Sequence, residues 1–150
     1  MKRYYFTLML LVLAISCKEK DISLANQLVG VYDYYEGYIP DPDKDGKYPL
    51  GNGGVTIETI GKDLLKIRIN KQGLRIWEFA ECQVVAVNNV VKRTYPFYYA
   101  VIVDRRNNTE IAQVRDHIPH LSTLVSRQIE YNFVDSNNDR VMLVSIKRKE

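Results

Sequence analysis

Residues 65–70 read LKIRIN, so that apolar and polar side chains alternate strictly. Successive side chains of a β-strand point to opposite faces of its sheet. Leu65, Ile67 and Ile69 therefore share one face, and the polar residues between them share the other. This pattern is typical of an antiparallel strand with one buried and one solvated face.

Further segments on both sides of this strand are rich in β-branched and aromatic residues, which favour strands. They are residues 27–39, 55–60, 74–80, 83–91, 97–104, 110–115, 123–134 and 140–147. Together they predict about nine strands. A single helical turn is expected at 21–27 or at 118–124, and neither is long enough to define the fold.

The connections between these segments favour hairpins. Residues 70–73 (NKQG), 105–108 (RRNN) and 135–139 (DSNND) contain amino acids that tolerate positive φ. Because the connections are short and sequential, we expect an all-β fold formed by one antiparallel meander of about eight or nine strands. Closure into a barrel removes exposed edges and is the preferred arrangement, with an open β-sandwich as the alternative.

The N-terminus has the organisation of an export signal. Lys2 and Arg3 precede an apolar stretch at residues 4–15 that is shorter than the roughly 20 residues needed to span a bilayer. Residues 14–17 (AISC) then form a small-residue cleavage site followed directly by Cys17.

This segment resembles the signals of bacterial lipoproteins. The resemblance implies a signal peptide at residues 1–16, a lipidated Cys17 with a polar tether at 17–26, and a β-domain at 27–150. It also implies a lipid-anchored protein of the outer membrane, either periplasmic or surface-exposed, with the membrane as one partner.

The charge distribution limits the classes of binding partner, and the number of cysteines limits the possible disulfides. Lys2 and Arg3 supply two of the net charges of +3, and the other basic residues are spread among acidic ones. Nucleic-acid binding requires a basic stripe on one face, so we expect no nucleic-acid partner. With Cys17 acylated, Cys82 has no disulfide partner and is predicted to be a buried, apolar thiol.

Gly30-Val31-Tyr32 resembles the Gly-x-Trp that opens the first strand of lipocalins and other calycin barrels, with Tyr32 in the place of the tryptophan. The closing hairpin at 128–147 is similar in placement to their last strands. The resemblance implies a calycin-like closed barrel in which residues 40–54 form a large loop at the open mouth, where it could cover a binding cavity.

Aromatic residues are the main candidates for binding. Inward-facing Tyr32, Tyr34 and Trp77 would line a site for a small apolar or planar ligand. Outward-facing aromatics, including those at 95–99, would instead form a patch for a protein partner. The first interpretation predicts a non-enzymatic, envelope-anchored binding module. The alternative is a protein-interaction module such as an envelope inhibitor, immunity or accessory protein, and aromatics that only fill the core remain a third interpretation.

Two segments contain candidate metal ligands. Residues 41–46 (DPDKDG) resemble the start of an EF-hand-type loop, which makes Asp41, Asp43 and Asp45 candidate Ca²⁺ ligands. A solvated acidic turn is the alternative. His117 and His120 could bind a transition metal, but the chain lacks further histidines to complete a site, so exposed loop histidines are the preferred interpretation.

No motif predicts catalysis. None of the serines lies in a Gly-x-Ser-x-Gly setting, and Cys82 has no catalytic neighbours in the sequence. We therefore expect that the protein is not an enzyme, and the sequence predicts no cofactor apart from the candidate Ca²⁺ site.

Overall fold

A computed structural model of the protein describes residues 23–37, 42–43, 45–87, 98–117 and 126–148. The predicted signal peptide at 1–16, Cys17, Asp41 and His120 lie outside these ranges, as does the side chain of His117.

Within the described residues, a short helix precedes eight antiparallel strands. Their bounds are α1 (Leu24–Leu28), β1 (Gly30–Tyr35), β2 (Gly53–Gly61), β3 (Leu64–Lys71), β4 (Arg75–Ala86), β5 (Ala100–Asp104), β6 (Thr109–His117), β7 (Ser126–Val134) and β8 (Arg140–Lys147). Because β1 pairs with both β2 and β8, the meander closes into a barrel. The predicted closed barrel is confirmed, and the open sandwich is wrong.

The two strands predicted at 74–80 and 83–91 form one strand over their described part. β4 continues for 12 residues and contains a β-bulge, since Ile67 pairs with Phe79 whereas Leu65 pairs with Cys82. The extra residue lets the strand bend while it stays paired with β3. It also interrupts the apolar alternation, which explains why the sequence pattern indicated two strands.

The interior follows the predicted alternation. Leu65, Ile67 and Ile69 are all 0% exposed, whereas Arg68 and Asn70 are exposed on the outer face. The predicted hairpin turns are also confirmed, with the expected positive φ values at the turn positions Gln72, Asn108 and Asn138.

The barrel has two different ends. The helix end carries α1, whose Ala25 and Leu28 are buried and which packs against β2 and β4. The mouth end carries the long β1–β2 connection and the turns at 72–74, 105–108 and 135–139. Within the described part of the chain, no helix has the length and hydropathy required to cross a bilayer.

Three consecutive backbone carbonyls tie the helix end to the barrel. The carbonyls of residues 27–29 accept hydrogen bonds from Arg127 Nη1, the Tyr32 hydroxyl and Lys147 Nζ respectively, each at 2.7 Å. Carbonyls at the end of a helix lack hydrogen-bond donors within the helix. These three side chains supply donors at the C-terminus of α1. Tyr32 thus has a structural role at the helix end of the barrel.

Candidate functional site

The predicted internal ligand site lies inside the packed barrel. Tyr32 and Tyr34 both face inward and are 0% exposed, so neither ring is accessible from solvent in this structure. Tyr32 is held at the helix end, whereas Trp77 packs at the mouth end. The structure therefore brings Tyr32 and Tyr34 into one core, in which Tyr32 and Trp77 lie towards opposite ends of the barrel.

Side chains from non-adjacent strands meet across the mouth end. The ring of Phe133 on β7 lies edge-on to two β4 rings, with centroids 5.9 Å from Trp77 and 5.0 Å from Phe79. Arg75 lies 5.3 Å from the Trp77 centroid and forms an ion pair with Asp135. These contacts hold β4 and β7 together at the mouth end of the barrel.

The hydroxyl of Tyr34 has no hydrogen-bond partner among the described residues. Burial, and to a lesser degree the charge of Glu36, raise the pKa of Tyr34 to about 12. Its ring packs against Gly53, where a larger side chain would collide with it. Because an unpaired buried hydroxyl costs free energy, the hydroxyls of Tyr34 and of Tyr131, which also lacks a partner among the described residues, are core polar groups that could use a guest molecule.

Cys82 is buried as predicted. Burial and the nearby carboxylate of Asp104 raise the pKa of its thiol to about 12, so the thiolate is disfavoured at neutral pH. Asp104 is itself buried and paired with Arg106, whose hydrogen bonds hold the pKa of this carboxyl below its usual range. The pairing of buried Asp104 with Arg106 therefore stabilises the fold, and the protonated thiol of Cys82 is not a reactive nucleophile.

The carboxylate of Asp43 is engaged within its own turn. Its Oδ1 accepts hydrogen bonds from the backbone N–H groups of Asp45, at 3.0 Å, and Lys47, at 2.8 Å. Asp135 makes the same pattern in the 135–139 turn. Among the described residues, which do not include Asp41, no group of three His, Cys, Asp or Glu is placed to hold a metal ion.

The described part of the β1–β2 connection packs on the outer side of β1. The hydroxyl of Tyr35, an outward-facing residue, donates to the carbonyl of Pro49 at 2.5 Å. Asn52 N donates to the carbonyl of Tyr34 at 2.7 Å. These bonds fix residues 49–52 against the strand, so this part of the predicted lid does not extend over the interior.

A groove of about 560 Å³ lies on the outer face of β6, β7 and β8. Tyr98, just before β5, and Gly37, just after β1, also line it. The outward side chains that line it are Glu110, Gln113, Glu130, Asn132, Met142 and Val144. Its volume falls within the range of roughly 300–1,000 Å³ that is usual for ligand pockets.

A hydrogen-bonded cluster fixes one wall of the groove. Glu130 accepts hydrogen bonds from the Tyr98 hydroxyl at 3.1 Å, from Gln128 Nε2 at 2.9 Å and from Arg115. The Arg115 guanidinium also lies 5.7 Å from the centroid of the Tyr98 ring. The charge of Glu130 is therefore balanced, and Tyr98 is held in one orientation.

The rest of the groove is more open. Glu110 Oε1 accepts a hydrogen bond from Gln113 Nε2 at 2.7 Å, and Asn132 Oδ1 accepts one from Arg140 Nε at 3.0 Å. Met142, opposite Asn132 on β8, is 63% exposed. The groove thus combines an apolar side chain with fixed polar groups.

The sequence pattern singled out the aromatic segment that contains Tyr98 but not the groove itself. The polar residues of the groove lie on three strands. In the sequence of each single strand they have the pattern of ordinary solvent-exposed residues. Residues 141–144 (VMLV) are four consecutive apolar residues, so a strand there must place two of them on its outer face, and this was the signal available at residues 140–147. In comparisons with protein-family models, curated proteins and solved structures, the chain matched none.

Proposed function

We propose that this protein is a non-enzymatic, lipid-anchored binding module of the bacterial envelope that binds a protein partner through the groove on β6–β8. The observation that carries the proposal is Met142, which exposes 63% of its surface inside a groove with polar walls. The predicted internal ligand residues Tyr32 and Tyr34, in contrast, are inaccessible.

The composition of this face supports a protein partner. Val134, on the same face of β7, is also 63% exposed, and its cross-strand neighbour is Arg140. Tyrosine, methionine and arginine are enriched at protein interfaces, where apolar side chains at the centre are surrounded by polar ones. Three paired strands also make a rigid platform, which lowers the entropic cost of binding.

The proposed anchor fits this orientation. The described chain begins at Ser23, immediately before α1, so a tether from Cys17 would join the barrel at the helix end. Met142 and Val134 lie near the other end, where β8 begins and β7 ends. An anchor at Cys17 would place these residues away from the membrane, in reach of a partner, and would raise the local concentration of the binding face.

Site-specific photo-crosslinking tests the proposal in the native cells. A benzoylphenylalanine at position 142 is expected to give a discrete adduct with another protein. The matched control is position 76, where Ile76 is 49% exposed on β4, on the opposite side of the barrel.

The crosslinker at position 142 replaces the Met142 side chain itself. A second protein therefore carries the crosslinker at position 113 and keeps Met142. Its adduct should disappear when Met142→Gln is added. Equal adducts at positions 142 and 76, or no adduct from either groove position, would contradict the proposal.

A second candidate function is binding of a small ligand inside the barrel. The unpaired hydroxyl of Tyr34 favours it, because a polar guest would supply the missing hydrogen bond. Tyr32, Tyr34 and Trp77 would be the lining residues, and binding would require β4 and β7 to separate at the mouth end. Native mass spectrometry of protein from its own cells tests this function: a bound small molecule supports it, and the mass of the acylated polypeptide alone contradicts it.

A further inference from the structure

We infer that the groove recognises a lysine or arginine side chain of the partner polypeptide, and that Glu110 is the carboxylate that meets its charge. This inference rests on the proposed function and specifies the chemistry of its ligand. It follows from the charge balance of the groove, from the polar atoms in it that lack hydrogen-bond partners among the described residues, and from the apolar surface on β8, across β7 from Glu110.

The two glutamates of the groove differ in their charge balance. Glu130 is paired with Arg115 and uses both carboxylate oxygens in hydrogen bonds. Glu110 forms no ion pair with a described residue and bonds only Gln113. Arg140, also on this face, donates to Asn132 instead. Among the residues that the structure describes, the groove therefore has one carboxylate, that of Glu110, without an ion-pair partner.

The open polar atoms beside this charge are acceptors. Glu110 Oε2 and Gln113 Oε1 have no hydrogen bond with a described residue, while Gln113 Nε2 is already committed to Glu110. Ammonium and guanidinium groups carry donors and no acceptor, so they match such a pair of oxygens. The Gln113 bond also fixes the orientation of the carboxylate before any ligand arrives.

The apolar part of the groove suits the stem of the same side chain. Met142 is 63% exposed, and Val144 is half-buried two residues along β8. Lysine and arginine place their methylene groups along apolar surface while the charged head stays in a polar environment. A basic side chain that lies across β7 would thus contact Met142 with its stem and Glu110 with its charged head.

Selection of peptides from a random phage-displayed library on the purified protein tests this inference. The selected peptides are expected to share a lysine or arginine at one position. For a synthetic copy of one of them, Glu110→Gln should weaken binding about threefold to tenfold, as should norleucine in place of the basic residue.

The matched control is Glu58→Gln, because Glu58 is an exposed glutamate on β2, across the barrel from β6. It should leave the affinity unchanged. Equal losses in the two variants would show a general charge effect and overturn the inference.

The variant Met142→Gln separates this inference from the proposed function. Peptides that lose affinity on Met142→Gln but share no basic residue would overturn the inference and leave a protein-binding groove in place. If no selected peptide is sensitive to Met142→Gln, both are contradicted.

Discussion

Tyr32 and Tyr34 provide a matched test of how the barrel interior is held together. Both face inward from β1 and both are 0% exposed. The Tyr32 hydroxyl donates to the carbonyl of Leu28 at 2.7 Å, whereas the Tyr34 hydroxyl has no partner among the described residues. Replacement of each tyrosine by phenylalanine removes one oxygen from the same core, with opposite consequences for hydrogen bonding.

The expected magnitudes follow from these bonds. Tyr32→Phe leaves a carbonyl at the end of α1 without its donor, which costs about 1–3 kcal/mol of unfolding free energy. In a domain of this size, each kcal/mol lowers the melting temperature by roughly 4 °C, so the expected loss is about 4–12 °C. Tyr34→Phe removes a polar atom that is buried without a partner, and the variant is therefore expected to be as stable as the wild type or slightly more stable.

Urea denaturation and thermal melting of the three proteins measure this difference directly. Unchanged far-UV circular dichroism should accompany both variants, since neither changes the packing volume much. Equal destabilisation by the two replacements, or a larger loss in Tyr34→Phe, would refute the assignment of the hydroxyl partners.

Four further predictions concern other parts of the chain. Arg106→Gln should cost about 1.5–3 kcal/mol in urea denaturation, because it removes charged hydrogen bonds from buried Asp104; unchanged stability would contradict this role. The raised pKa of Cys82 means that the unfolded chain loses the thiol proton first. Stability should therefore fall as pH rises from about 9 towards 12, and Cys82→Ala should flatten this dependence in urea titrations. Asp43→Ala should lower the melting temperature equally with Ca²⁺ and with chelator, since the carboxylate bonds its own turn; an effect confined to Ca²⁺ would instead indicate a metal ligand. Cys17→Ala should move the protein from the membrane fraction to the soluble fraction, and continued retention would show that lipidation at this residue is unnecessary.

Much of the fold was predictable because it depends on local patterns. The alternation at 65–70 fixes which side chains enter the core, and the turn residues at 70–73 and 135–139 fix where strands reverse. The continuity of β4 was not predictable, because a bulge shifts the alternation in the same way as a new strand does. Two of the three side-chain bonds to residues 27–29, those from Arg127 and Lys147, join positions at least 100 residues apart, and no local pattern reports such a contact.

The candidate site was less predictable than the fold. The sequence indicates that Tyr32 and Tyr34 face inward, but it cannot show that their neighbours fill the space around them. The groove depends on the register of β6, β7 and β8, which places Glu110, Asn132 and Met142 on one face. Because register is a property of paired strands, this face becomes visible only in three dimensions.

A crystal structure of the protein purified from its native cells together with its bound partner tests the central claim most directly. We expect a polypeptide segment of the partner against Met142 in the outer groove, with the interior around Tyr34 free of any organic ligand. A small molecule enclosed between Tyr34 and Trp77, with the outer groove empty, would contradict the account and favour an internal binding site.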